Sequence, residues 1–175
     1  MKKFELTAES KINIFGKKLF RIKALISFGD VEEGETGGWI EKEENLEQSS
    51  GDAWVSGDAW VYGNARVYGN ARVSGDARVY GDAEVYGDAR VSGDAEVYGN
   101  ADYTTIHGFG TQFRTTTFFQ CEDKQIRVSC GCFLGTIPEF REQVKNTREG
   151  KIVEEYLMIA DLMEKHFVKE KESGE

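Results

Sequence analysis

The sequence predicts a mainly β protein built on a three-sided parallel β-helix, and three observations carry that prediction. From Gly51 to Ala101 a six-residue unit recurs without a slip: Gly, Asp or Asn, Ala, a variable residue, Val, then Ser or Tyr. Its last position keeps a slower rhythm: Ser56, Tyr62, Tyr68, then Ser74, Tyr80, Tyr86, then Ser92, Tyr98, Thr104. Three hexads therefore make one coil, and residues eighteen apart stack. Finally, the segments on either side do not repeat, as a solenoid needs: its terminal coils expose apolar core and open strand edges that must be capped.

Residues 1–50 read as an N-terminal β cap. Ile12, Ile14, Leu19, Phe20, Ile22, Leu25 and Ile26 around Gly16-Lys17 have the pattern of a β-hairpin. Trp39-Ile40 after Gly37-Gly38, with Leu46 six residues past Ile40, reads as an imperfect coil leading into the repeat. Residues 51–105 form the repeat itself. Ala and Val point inward from each short strand, and the Gly-Asp/Asn pair makes the corner, where Asp and Asn tolerate the left-handed conformation. The variable residue and the Ser or Tyr point out.

This register maps the surface. One face carries Trp54, Arg72 and Arg90 beside Ser56, Ser74 and Ser92; the second carries Trp60, Arg78 and Glu96 beside Tyr62, Tyr80 and Tyr98; the third carries Arg66, Glu84 and Asp102 beside Tyr68, Tyr86 and Thr104. Coils spaced about 4.8 Å apart put a cation under an acid on the second and third faces. On the Ser face Arg72 lies under Arg90 with no acid in its column. Stacked like charges are unfavourable, so a helix, from the C-terminal part of this chain or from a neighbouring subunit, is expected to cover them, with an anionic ligand as the alternative.

Residues 106–175 read as a β-hairpin followed by helices. Arg114 to Gln120 and Gln125 to Cys130 flank the polar turn Glu122-Asp123-Lys124. Thr136-Ile137-Pro138-Glu139 has capping-box spacing with proline in the first turn and starts a helix running to about Thr147. After Gly150, Ile152, Val153, Tyr156, Ile159, Ala160, Met163 and Phe167 trace an apolar stripe at helical spacing, followed by a charged tail expected to fray.

The net charge of −9 argues against binding a nucleic-acid backbone. No apolar run approaches a membrane span and no secretory leader is visible, so a cytoplasmic protein with no membrane partner is expected. The three cysteines, an odd number, then read as reduced thiols.

The repeat Gly51-Asp52-Ala53-Trp54-Val55-Ser56 and its successors resemble the hexapeptide repeats of left-handed β-helix proteins, which include trimeric acyltransferases and γ-class carbonic anhydrases. With Gly37-Gly38-Trp39 ahead of them, they look most like a branch of uncharacterised bacterial and phage proteins. Cys130-Gly131-Cys132-Phe133-Leu134-Gly135-Thr136 before a capped helix also looks like a phage-encoded module. The resemblance implies left-handed coils and a homotrimer.

The carbonic anhydrase chemistry is excluded, because its zinc takes three histidines and this chain has two, His107 and His166. An acyltransferase would need a histidine as general base, and His107 is the candidate beside the solenoid. Cys121, Cys130, Cys132 and His107 form an alternative zinc quartet, against which Cys-x-Cys in a strand places both thiols on one face as core residues. The column Asp58, Asp76, Asp94 invites Ca²⁺ but is already explained as turn chemistry. No cofactor motif is present.

The expected protein is therefore a non-catalytic, oligomeric binder whose site draws on Trp54, Trp60, Tyr62, Tyr68, Arg72, Arg78, Tyr80, Tyr86, Arg90 and Tyr98. Aromatic stacking and guanidinium contacts suit a host protein or an anionic small molecule such as a nucleotide. Among phage roles this fits an anti-defence inhibitor or a sequestering protein. The alternatives are an acyltransferase-like enzyme using His107 and a purely structural assembly module.

Overall fold

The chain enters through an antiparallel hairpin, β1 (Phe4–Ile12) and β2 (Lys18–Ala24), whose turn is held by Asn13. Its side-chain oxygen accepts from the N–H groups of Phe15 at 3.0 Å and Lys17 at 2.9 Å. The computed structural model describes residues 1–168. β3 (Thr36–Ile40) pairs antiparallel with β2 and then becomes the first rung of the solenoid.

The repeat supplies eight two-residue strands: β4 (Trp54–Val55), β5 (Trp60–Val61), β6 (Arg66–Val67), β7 (Arg72–Val73), β8 (Arg78–Val79), β9 (Glu84–Val85), β10 (Arg90–Val91) and β11 (Glu96–Val97). They pair in parallel at the eighteen-residue offset, so Val55, Val73 and Val91 share one column and Val61, Val79 and Val97 another. Every repeat Ala and Val from Ala53 to Val97 is at most 1% exposed. Only small side chains fill so narrow a core, and each coil is held by its neighbours alone. The cap joins in continuously: Ile40 lies opposite Val61 and Leu46 opposite Val67. Buried Asn45 donates to the carbonyls of Gly63 at 3.2 Å and Ala65 at 2.8 Å, satisfying backbone that an irregular coil would leave open.

At the corners the structure corrects the expectation for Asp and Asn. The left-handed residue is the glycine, with φ between 62° and 71° from Gly51 to Gly93. Its lack of a Cβ also matters sterically: at Gly75 a Cβ would sit 2.9 Å from the backbone N of Gly93 in the coil above. In two of the three corner columns the side chains bond upward instead, Asn64 donating to Asp82 and Asn70 to Asp88, each at 3.0 Å. Alternating amide with carboxylate spares these two columns the repulsion that the third, Asp58, Asp76 and Asp94, carries.

The regular stack ends one corner earlier than the repeat suggests. Asp102 and Thr104 do not stack on Glu84 and Tyr86. Asn100 Oδ1 accepts from the Glu84 N–H at 2.7 Å, and the Asp102 carboxylate folds back onto the N–H groups of Tyr98 and Gly99. The cause is Tyr103, which stands where the column calls for Val. A ring is too large for that column, so it closes the end of the core, its hydroxyl donating to the Glu84 carbonyl at 2.6 Å, with Phe119 and Cys121 beside it.

Beyond the solenoid the single expected hairpin is a four-stranded antiparallel sheet: β12 (Tyr103–Phe109), β13 (Arg114–Gln120), β14 (Ile126–Cys130) and β15 (Phe133–Thr136), in that order. Helix α1 (Ile137–Thr147) begins at the anticipated capping box. Thr136 Oγ1 accepts from the Glu139 N–H at 3.3 Å, and the Glu139 carboxylate accepts from the Thr136 N–H at 2.7 Å. Helix α2 (Lys151–Phe167) starts at Gly150 and buries Tyr156, Ile159, Ala160 and Met163. Both helices pack on the sheet, against Phe118 and Val128, rather than on the solenoid. The charged tail expected to fray, residues 169–175, lies outside the described residues. Among those described, no helix is long and apolar enough to cross a membrane.

Candidate functional site: a cationic cleft beside the last coil

The tyrosine columns exist, but most of their surface is used within the chain. Tyr62 stacks on Tyr80 with centroids 5.0 Å apart, and Tyr68 on Tyr86 at 5.3 Å. Tyr62 is only 6% exposed, packed with Leu19 and Trp39. The acids of the coil above find hydroxyls, and Glu96 also Lys124, rather than the stacked arginines: Tyr80 donates to Glu96 at 3.0 Å and Tyr68 to Glu84 at 3.2 Å. Burial and the Glu96 carboxylate raise the Tyr80 pKa to about 12. Tyr86 and Tyr98 alone in these columns stay open, 52% and 62% exposed.

The tryptophans are also spoken for. Trp54 is 2% exposed, edge-on to Phe4 and Phe28 beneath the N-terminal cap, so it offers nothing to a ligand. Trp60 lies between Lys11, whose Nζ is 4.5 Å from its ring, and Arg78 at 5.5 Å. Cation–π contact and the hydrophobic stem of Lys11 cover the rings of Trp39 and Trp60 together.

The Ser face departs from expectation in how its arginines are neutralised. No helix covers it. Asp30, in the loop after β2, pairs with Arg72, and on the neighbouring face Arg78 meets Glu122 at 3.7 Å. Arg90 is left with no acid partner among the described residues. Of the nine arginines, Arg21, Arg72, Arg78, Arg127 and Arg141 have such partners; Arg66, Arg90, Arg114 and Arg148 do not. Two of these four, Arg90 and Arg114, border one place.

That place is a cleft of about 500 Å³ between the last coil and the C-terminal sheet, lined by Asp88, Arg90, His107, Phe113, Arg114, Thr115 and Gly131. It exists because β13 crosses the open end of the Ser face. The Arg90 N–H has no coil above it to pair with and donates instead to Thr117 Oγ1 at 3.0 Å. This contact satisfies the terminal strand edge and brings the start of β13 alongside Arg90. His107, on neighbouring β12, is held to the wall with Nδ1 3.2 Å from Thr115 Oγ1. Arg114 lies across Gly131, whose φ is 62° and where a Cβ would come within 2.5 Å of Nη1. On its far side Arg114 shares a small hollow with Arg148 and Tyr156. A groove of similar size, about 550 Å³ and bordered by Lys124, Ile137 and Glu164, is less suited to a charged ligand, since Lys124 is paired with Glu96 at 2.9 Å.

The zinc quartet is not assembled. Cys121 sits in the solenoid core, where burial, followed by a hydrogen bond with Asp94, pushes its thiol up to about 12. Cys130 accepts from Thr116 at 3.2 Å in the other core. Gly131 turns the chain between Cys130 and exposed Cys132, so the two thiols do not share a strand face. Among the described residues no group of three or more His, Cys, Asp and Glu side chains is placed to hold a metal.

Arg90 and His107 were visible in the sequence as candidates; Asp88, Phe113, Arg114 and Gly131 were not. Nothing local marks them, because their neighbourhood arises only when β13 crosses the last coil.

The repeat matches the family model described as YdcK beta solenoid repeat in three overlapping stretches, residues 59–73, 65–81 and 71–84. No curated protein matches the chain. The matched stretch lies wholly within the stacked coils, and from coils and match together the chain is a β-solenoid repeat protein.

Proposed function

We propose that this protein is a non-catalytic binder of an anionic small molecule, held in the cleft of Arg90, Arg114 and His107. One observation carries the reading: in a chain of net charge −9, two of the four arginines without an acid partner among the described residues, Arg90 and Arg114, line this one cleft. Guanidinium groups left unneutralised at a concave surface are suited to phosphate or carboxylate, which they bind through paired N–H donors. In the phage setting that the resemblance implies, such binding suits a sequestering or anti-defence role. Calorimetric titration with inorganic pyrophosphate tests the site: saturable binding is expected in the wild type and its loss in Arg90→Ser/Arg114→Ser. A wild type that takes up no heat at millimolar pyrophosphate removes this reading.

The acyltransferase alternative retains His107 in a cleft, but among the described residues the ring hydrogen-bonds a threonine hydroxyl, and the carboxylate on the same lining, Asp88, is bonded to Asn70 rather than placed to stabilise the imidazolium that a general base becomes. No turnover of acetyl-coenzyme A is expected. His107-dependent turnover would establish the enzyme instead.

A further inference from the structure

The cleft has a second chemical character beyond its positive charge. Phe113 closes the turn between β12 and β13 with φ at +49°, one of two non-glycine residues in the left-handed region, and its side chain is 63% exposed. A bulky aromatic is a poor choice for that backbone, and turn chemistry offers glycine or asparagine for such a position. Strain of this sort gathers at ligand clamps, where the position of a side chain matters more than the comfort of its backbone. Here the strain places an uncovered ring on the rim of the same cleft that Arg90 and Arg114 line.

The remaining wall residue narrows the ligand further. Among the described residues Asp88 is the one acid on the lining, and Asn70 holds its carboxylate through a 3.0 Å hydrogen bond from the coil below. A fixed carboxylate repels a bare polyanion but accepts hydrogen bonds from hydroxyl groups. The cleft therefore presents cations for phosphate, an acceptor for sugar hydroxyls and a flat apolar face. A volume of about 500 Å³ is in the range of small-molecule sites.

Resting on the anion-binding reading above, we infer that the ligand class is a nucleoside diphosphate or close relative, with its phosphates on Arg90 and Arg114, its ribose toward Asp88 and its base stacked on Phe113. Base–aromatic stacking tolerates any base, because every base has a π-face, so the site selects the nucleotide form more than its letter. Phe113 is the specificity-determining residue of the cleft.

The test compares two probes, ADP and inorganic pyrophosphate, by calorimetry on the full chain. Phe113→Ala should weaken ADP about tenfold or more while leaving pyrophosphate within about twofold, and Phe113→Trp should retain ADP binding. Because Phe113→Ala keeps the positive φ, Phe113→Gly is the control for backbone strain: it should hold or raise thermal stability and lose ADP to the same extent. Equal affinities for ADP and pyrophosphate in the wild type, or an unchanged ADP affinity in both small variants, would overturn the stacking inference while leaving the anion site standing. Failure of both probes to bind the wild type would remove the anion site itself.

Discussion

Gly75 and Gly87 share a corner conformation, with φ of +69° and +65°, but differ in what lies above them. Replacing either with Ala forces a side chain into the left-handed region, a cost of about 1–2 kcal/mol that is partly offset by the smaller entropy of the unfolded chain. At Gly87 the added methyl meets nothing within 4 Å, so Gly87→Ala should cost about 1 kcal/mol. At Gly75 it meets three backbone atoms of Gly93, at 2.9, 3.1 and 3.2 Å. Backbone fixed by a parallel ladder cannot step aside as a flexible side chain can, and overpacking of this kind adds about 1–3 kcal/mol. The excess for Gly75→Ala corresponds to a urea midpoint roughly 1 M below that of Gly87→Ala, with an unchanged slope. Circular dichroism across a urea series reads both values. Equal midpoints would refute the stacking of residues eighteen apart at the corners, because the backbone conformation is the same at both sites.

Three further outcomes follow from other parts of the chain. Iodoacetamide at neutral pH should label exposed Cys132 readily and Cys121 only after denaturation, since burial keeps the Cys121 thiol protonated; mass spectrometry showing equal rates would contradict the placement of Cys121 in the core. Thr136→Ala should cost about 1 kcal/mol by opening the cap of α1. The Thr136 N–H and hydroxyl hold the Glu139 carboxyl below its ordinary range, so its stabilisation is complete above the unfolded value near 4.3 and disappears as pH falls through the lower folded value; Glu139→Gln should flatten that acid limb, and an identical limb would count against the cap. For the proposed homotrimer, sedimentation at micromolar concentration should give three chains and Tyr86→Ser/Tyr98→Ser should give one; a monomeric wild type would leave those exposed rings without a subunit to face.

The solenoid was legible because its signal is redundant: Val73 alone says nothing, but Val55, Val73 and Val91 at equal spacing admit one stacking. The capping box at Thr136 was legible for a different reason, since Thr136 and Glu139 act within four residues of each other. What escaped depends on contacts across long separations or on one oversized residue. Tyr103 keeps the hexad spacing yet ends the stack, because periodicity counts positions and not volume. β15 and β12 were missed where glycine at positions 108, 131 and 135 interrupts the alternation that marks a strand. Asp30 neutralises Arg72 across forty-two positions, and no spacing rule pairs them. The cleft fails for the same reason: Arg90 and Arg114 become neighbours only through the Thr117 contact at the end of the ladder.

The central claim is that Arg90 and Arg114 act together as an anion site. Side-chain Nε–Hε resonances of arginine report it most directly, because each guanidinium is seen separately during titration with pyrophosphate. Saturable shifts are expected at Arg90 and Arg114, with little change at Arg141, which is occupied by Asp161 and Glu164. Shifts spread evenly over all the arginines, or none at Arg90 and Arg114, would contradict it.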